Sequence, residues 1–167
     1  MDRNSRPYRA ISVFRSVLGV IRKEVRAARR FETGGALVGY VQENNIVVIT
    51  NASGPGPNSE LTRDSVLIDG SYTTDFCNVL FERSRGKLDY VGDWHRHTGW
   101  SLKSSGRDEE AMRTIQESGC CSITYPLSLI FRLWPEKMVG YAFYQNRLIG
   151  IPLNIVEPRR FGTELSF

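Results

Sequence analysis

The sequence predicts an α/β protein in which helices pack against a mixed β-sheet. Three observations support this class. Apolar residues near the N-terminus recur at helical spacing. Several runs rich in β-branched and aromatic residues follow, and turn residues separate them. Two further helical segments lie between these runs, which is the order expected when helices cover a sheet.

The composition is that of an ordinary globular protein. The chain has 167 residues, of which 41% are hydrophobic and 24% charged. This length predicts one domain, residues 1–167, and no internal repeat or linker suggests a second. Charged residues interrupt every apolar run, so we expect no membrane span and no secretory signal, and hence a cytoplasmic protein. The odd cysteine count argues against a disulfide framework.

The first predicted element is one long amphipathic helix from Ile11 to Ala28. Its polar face is strongly basic, and the whole chain carries a net charge of +4. A solvated face explains this pattern, and a docking surface for an acidic partner or nucleic acid is the alternative. Residues 31–53 then predict a β-hairpin, and the prolines of residues 54–59 exclude regular pairing in the next loop.

The middle of the chain predicts a strand at residues 64–69 and a helix that Ser71 caps and that runs to about Arg83. A strand follows over residues 87–97. The last third predicts one more helix and three strands, whose ranges are 108–117, 121–133, 138–145 and 147–155.

Both histidines of the chain lie at the end of the strand over residues 87–97. Side chains two residues apart on a strand point to the same face, so His95 and His97 can present both imidazoles to one point. Zinc is commonly held by histidine nitrogens and carboxylate oxygens, and a catalytic zinc has three protein ligands. Asp108 is the candidate third ligand, because the intervening loop can bring the start of the next helix to the end of the strand.

Each part of this pattern has a simpler explanation when it is taken alone. Ser105 and Asp108 are spaced as a capping box, which opens many helices without any catalytic role. Two histidines at this spacing also occur on ordinary strands. The combination of the two patterns favours a metal site.

A zinc hydrolase also needs a base that takes a proton from the attacking water. Glu32 is the candidate, because Gly34 and Gly35 follow it and allow close approach of the backbone to a neighbouring strand. Taken alone, Glu32 is a surface carboxylate at the end of the first helix, and the glycines are a plain bend.

Together these residues resemble the JAMM motif of the JAB/MPN metallopeptidases. That motif is a glutamate followed later by H-x-H-P, six residues and S-x-x-D. Here Glu32 lies in "ETGGALVG", the histidines in "GDWHRH", and Ser105 and Asp108 in "SGRD". Thr98 stands where the family usually has proline, a difference that alters loop stiffness without removing a ligand.

The resemblance implies a three-layer α/β/α fold related to that of the cytidine deaminases, with one zinc per chain held by His95, His97 and Asp108. By the same resemblance Glu32 is the general base, and the Ser105 hydroxyl stabilises the oxyanion. The implied reaction is peptide or isopeptide hydrolysis that releases a ubiquitin-like or otherwise conjugated protein. The size of the chain is similar to that of small bacterial JAB proteins, including those that reverse conjugation of the nucleotide cyclase in CBASS antiphage systems.

Three alternatives belong to other classes. A non-catalytic MPN scaffold is expected to lack ligands, and this chain has all of them. A zinc nucleobase deaminase needs H-x-E and P-C-x-x-C, whereas this chain has H-x-H and the adjacent pair Cys120 and Cys121. A basic nucleic-acid-binding domain is supported only by the net charge and the arginine-rich helix. The sequence does not indicate an oligomeric state.

Overall fold

A computed structural model describes residues 6–158 of the chain. In chain order its elements are β1 (Ala10–Phe14), α1 (Arg15–Ala27), β2 (Gly34–Val41), β3 (Ile46–Ala52), β4 (Glu60–Leu61), β5 (Val66–Leu67), α2 (Gly70–Arg83), β6 (Asp89–Arg96), α3 (Gly106–Ser118), β7 (Leu127–Arg132), β8 (Lys137–Tyr144), β9 (Arg147–Ile151) and β10 (Leu153–Val156). None of these helices is long and apolar enough to cross a lipid bilayer.

Eight strands form one mixed sheet in the order β10-β1-β3-β2-β6-β7-β8-β9. Strand β1 runs parallel to both β3 and β10, and β6 runs parallel to β7. The remaining pairs of this sheet are antiparallel. The mixed sheet predicted from the sequence is therefore confirmed. The two short strands β4 and β5 form a separate hairpin.

The helices lie on both faces of the sheet and make three layers. The apolar side of α1 packs with one face in the largest core cluster, and the smaller clusters under α2 and α3 lie on the other face. Neighbouring residues of β8 separate the two faces, because Ala142 belongs to the core beneath α1 and Phe143 to the core beneath α3. This is the expected α/β/α arrangement.

The prediction of one helix from Ile11 to Ala28 was wrong at its start. Residues Ala10–Phe14 form β1 in the interior of the sheet, and α1 begins at Arg15. The spacing of Ile11 and Phe14 fits a helix, but Ile11 and Val13 also alternate with partly exposed neighbours at the period of a strand. Pairing with β3 and β10 on both sides decides between these two periods.

The basic face of α1 is partly neutralised by acidic residues from elsewhere in the chain. Arg22 forms a two-point ion pair with Glu136, with contacts of 2.6 and 2.7 Å. Arg15 pairs with Glu157 near the end of β10. These pairs leave fewer free cations on the helix than the sequence suggests.

The middle of the chain also differs from the prediction. Within residues 64–69, only Val66–Leu67 is a strand, and it lies outside the main sheet. The N-cap of α2 is Asp69 and not Ser71, because the Asp69 carboxylate accepts a hydrogen bond from the amide of Tyr72 at 3.2 Å.

Two predicted strands near the C-terminus were too long. The strand expected over residues 121–133 begins only at Leu127, directly after Pro126. The strand expected over residues 147–155 is divided into β9 and β10 at Pro152. Proline lacks the amide hydrogen that a strand ladder needs, so both boundaries have the same cause.

Candidate metal centre

The two histidine rings meet at the end of β6. His95 and His97 lie two residues apart, and their Nε2 atoms are 3.0 Å from each other. Both side chains lie on the face of the sheet that carries α2 and α3, because β6 alternates its side chains between the two faces. The convergence expected from their spacing is therefore present.

Asp108, in the first turn of α3, completes a group of three. Its Oδ1 lies 3.2 Å from Nε2 of His95, and its Oδ2 lies 3.7 Å from Nε2 of His97. The ligand atoms of the three residues all lie within 4.8 Å of one another, and all three side chains are partly buried.

This donor set fits a metal ion. Two ligands of one tetrahedral zinc, each about 2.0 Å from it, lie about 3.3 Å apart. The three separations among the side chains, 3.0, 3.2 and 3.7 Å, lie around this value. In addition, Nδ1 of His97 lies 2.9 Å from the carbonyl oxygen of Ser101. That carbonyl can only accept, so it favours the proton on Nδ1 and leaves Nε2 of His97 free to bind a metal.

The electrostatics of the group favour a charged carboxylate. Burial alone would raise the pKa of Asp108, but hydrogen bonds from His95 and His97 lower it more strongly, so that the pKa lies well below its usual range. The pKa of His97 is raised, chiefly by its hydrogen bond with Asp108. Asp108 therefore offers an ionised oxygen, which is the form that binds metals.

Ser105 caps α3 and also lines the candidate metal site. As the N-cap of α3, its Oγ accepts a hydrogen bond from the amide of Asp108 at 3.3 Å, while its own amide donates to Oδ2 of Asp108 at 2.6 Å. The capping box is therefore real. A hydroxyl that accepts one bond still has a hydrogen to donate, and Ser105 lines the same cleft as the histidines.

The pairing of β2 with β6 brings Glu32 to the histidines. Gly34 lies directly opposite His95 in this antiparallel ladder, and the amide of Arg96 donates to the carbonyl of Thr33 at 2.8 Å. Continuing the same register places Glu32 opposite His97. Side chains of opposed residues share a face, so Glu32 faces the two rings.

The two glycines after Glu32 allow this close pairing. A Cβ atom at Gly34 would lie 2.5 Å from the carbonyl oxygen of Trp94, and one at Gly35 would lie 2.2 Å from that of Ser53. No side chain fits at either distance. The close approach expected from the sequence is confirmed, and these residues are part of β2 and not a plain bend.

Glu32 lies in the same cleft as the three candidate ligands, a cavity of about 770 Å³ whose lining also includes Asp64, Arg107 and Met112. Burial raises the pKa of Glu32, and the electrostatic interaction with His95 and His97 acts in the opposite direction. A carboxylate with a raised pKa beside a candidate metal centre is a candidate proton acceptor.

The sequence did not reveal three contributors to this site. The sequence could not indicate the role of the Ser101 carbonyl, because every residue has a backbone carbonyl. The hydroxyl of Thr98 donates to the carbonyl of Arg63 at 2.9 Å and ties the histidine loop to the β4–β5 hairpin. Asp93 also lines the cleft, accepts a hydrogen bond from Tyr90 at 2.9 Å, and has its pKa raised by burial to about 6. The sequence offered one signal for Asp93, which is its position two residues before His95 on the same predicted strand.

Comparisons with known proteins agree on the type of domain. The model of a family described as prokaryotic homologs of the JAB domain matches residues 14–137. The chain is 29% identical over 130 residues to a "Probable metalloprotease y4qB" of Sinorhizobium fredii, which covers 77% of this chain and 79% of that protein. It is 35% identical over 66 residues to a "CD-NTase/cGAS isopeptidase" of Escherichia coli, covering 40% of this chain and 42% of that protein.

The fold is also found in a solved structure. The solution structure of a Desulfitobacterium hafniense protein is similar with a TM-score of 0.67, and the match covers 89% of this chain and 94% of that one. The two sequences are only 11% identical, so this likeness concerns the fold alone.

Proposed function

This chain belongs to the family of prokaryotic homologs of the JAB domain, and we propose that within it the protein is a zinc-dependent peptidase or isopeptidase. Its reaction is hydrolysis of the bond that follows the C-terminal tail of a conjugated protein. The observation that carries this proposal is the convergence of His95, His97 and Asp108 in one cleft with Glu32.

Zinc suits the donor set better than a hard cation does, because two imidazole nitrogens and one carboxylate are typical zinc ligands. The three side chains would hold one ion per chain. When bound, zinc supplies Lewis-acid chemistry, in which it lowers the pKa of a water to roughly 7 and polarises a carbonyl.

Glu32 is the proposed general base. Glu32 lies two residues before β2 and lines the same cleft as the two imidazoles, and burial raises the pKa of its carboxylate, which strengthens it as a base. It would take the proton of the attacking water and deliver it to the leaving amine.

Ser105 is the proposed oxyanion donor. Its Oγ accepts from the amide of Asp108, so its own hydrogen is free to donate to an oxygen on which negative charge develops. The N-terminus of α3, which begins beside it, also favours negative charge. Ser105 is not the nucleophile, because both histidines belong to the candidate metal group and neither can act as its base.

The substrate class is proposed from the relatives. One of them is named an isopeptidase of CD-NTase or cGAS, and the matched region covers less than half of each chain. We infer that this protein removes a conjugated protein from its carrier, and that a CD-NTase joined through its C-terminal tail is the first substrate to test. Such an activity would belong to bacterial antiviral defence of the CBASS type.

A cleavage assay beside metal analysis tests this function. Two probes are used, a ubiquitin-like protein joined through its C-terminus to a lysine of a carrier, and a CD-NTase conjugated in the same way. The zinc-loaded wild type should cut at least one of them, and Glu32→Gln should lower kcat by about 10²- to 10⁴-fold while the zinc content stays at one per chain.

Glu110→Gln is the matched control, because Glu110 is an exposed carboxylate of the same cleft-forming helix. It should retain wild-type activity. A wild type that binds zinc and cuts neither conjugate would argue against the deconjugating function, and a wild type that binds no zinc would refute the metallopeptidase altogether.

A further inference from the structure

Arg96, between the two histidines, points away from them and holds the chain just before Glu32. Alternation along β6 places its side chain on the face of the sheet that carries α1. There, a single nitrogen, Nη1, donates toward three carbonyl oxygens. They belong to Val25 at 3.4 Å, Phe31 at 3.3 Å and Arg29 at a shorter distance.

These carbonyls mark the point where α1 ends and the chain turns toward Glu32. The last carbonyls of a helix have no partner within the helix, and they form the negative end of its dipole. Arg29, beyond the helix, has a φ of 54°, in the left-handed region that a residue with a side chain adopts at a cost. The guanidinium of Arg96 satisfies the helix end and stabilises this turn.

The main chain of Arg96 holds the segment on the C-terminal side of Glu32. The amide of Arg96 donates to the carbonyl of Thr33 at 2.8 Å. Arg96 therefore contacts the residue directly before Glu32 through its side chain and the residue directly after it through its main chain. The amide of Glu32 donates to the carbonyl of Thr62 at 2.7 Å, and the backbone of Thr98 also hydrogen-bonds to the Glu32 carboxylate.

Packing alone does not explain an arginine at this position. Its Nε is buried and has no hydrogen-bond partner among the described residues. Burial lowers the pKa of Arg96, and the negative charge of Glu32 acts in the opposite direction. An apolar side chain would fill the space without burying an unpaired donor, so the contacts of Nη1 are the feature that distinguishes arginine here.

We propose that Arg96 is a positioning residue, which holds the carboxylate of Glu32 over His95 and His97 by anchoring residues 29–33 to the strand that carries both rings. This inference rests on the proposed function of Glu32 as the base. It assigns a role to the residue inside the H-x-H pattern, so one strand supplies two candidate ligands on one face and the support for the base on the other.

Arg96→Met and Arg96→Lys test the anchor. Methionine keeps the apolar stem and removes the donors. Lysine restores a single nitrogen with three hydrogens, which matches three carbonyls that converge on one atom. With a conjugate that the wild type cuts, Arg96→Met should lower kcat about 10- to 100-fold with little change in KM or zinc content, and Arg96→Lys should recover most of the loss. Arg113→Met, at an exposed site on α3, is the control.

Amide hydrogen exchange of the metal-free protein gives a reading that does not depend on activity. Arg96→Met should exchange faster over residues 28–33 than wild type, with β2 and β6 unchanged, and Arg96→Lys should restore protection. Unchanged exchange in Arg96→Met would overturn the anchor. If Arg96→Met does not fold, Arg96→Gln replaces it, and wild-type protection and kcat in that variant would overturn the proposal equally.

A double-mutant cycle with Glu32→Gln separates action through Glu32 from action through the histidines. If Arg96 acts through Glu32, Arg96→Met should cost little further activity in the Glu32→Gln background. Full additivity, or a loss of zinc together with kcat, would overturn the proposed role. If the wild type cuts no conjugate, the proposed function fails, and the exchange measurement still decides whether Arg96 anchors this segment.

Discussion

The carboxylate of Asp108 connects the first turn of α3 to the end of β6. Its Oδ2 accepts a hydrogen bond from the amide of Ser105 at 2.6 Å, and its Oδ1 lies 3.2 Å from Nε2 of His95. The capping-box partner of Ser105 and a candidate metal ligand are therefore the same side chain. The two explanations of the Ser-x-x-Asp pattern do not exclude each other.

Asp108→Ala should therefore have two separable effects. Without metal, the loss of the capping-box bond to the Ser105 amide and of a negative charge in the first turn of α3 should lower the free energy of unfolding by about 0.3–1 kcal/mol. Loss of a residue that only hydrogen-bonds to a metal ligand lowers metal affinity roughly 10- to 100-fold, and zinc affinity should fall by more than this when Asp108 itself is removed. Chemical denaturation and zinc titration measure the two effects, with the exposed neighbour Glu110→Ala as control. An Asp108→Ala variant that keeps one zinc per chain would remove this residue from the ligand set.

Two substitutions of Ser105 should separate its structural role from its chemical one. Both Ser105→Ala and Ser105→Gly remove the hydroxyl, but at an N-cap alanine costs about 1 kcal/mol and glycine only a few tenths. If Ser105 donates to the oxyanion, kcat should fall about 10²- to 10³-fold in both variants, although only alanine lowers stability appreciably. Wild-type kcat in Ser105→Gly would leave Ser105 as a cap alone.

Zinc should stabilise the folded chain by mass action. At a free zinc concentration of 100 times Kd, the free energy of unfolding should rise by about 2.7 kcal/mol in the wild type, because the three ligands converge only in the folded state. His97→Ala should lose most of this gain. Urea denaturation with and without zinc measures it, and an equal gain in both proteins would mean that the ion binds elsewhere.

Gly35→Ala should disturb both the fold and the site. A Cβ atom there would lie 2.2 Å from the carbonyl oxygen of Ser53, so β2 would have to move away from its neighbour. We expect a loss of about 1–3 kcal/mol in stability and weaker zinc binding. Gly150→Ala, which has open space around the added carbon, should stay within about 0.5 kcal/mol of wild type. Thermal unfolding compares the two, and equal melting temperatures would contradict the close approach.

The sequence by itself determined the local features of this protein. The period of two on a strand predicts that His95 and His97 share a face, and the spacing of Ser105 and Asp108 predicts the start of a helix. Both are present. These predictions succeed because side chains within one element are placed by the geometry of that element alone.

Only the tertiary structure decided how distant segments meet. The register of β2 on β6, continued two residues before Gly34, brings Glu32 opposite His97. The pairing of β1 with two neighbours turns residues Ile11–Phe14, predicted as helix, into a strand. The local spacing of apolar residues specifies neither the register between two strands nor which strands become neighbours. They depend on which arrangement of all the elements buries the most apolar surface and pairs the most backbone groups, and that choice is made by the whole chain.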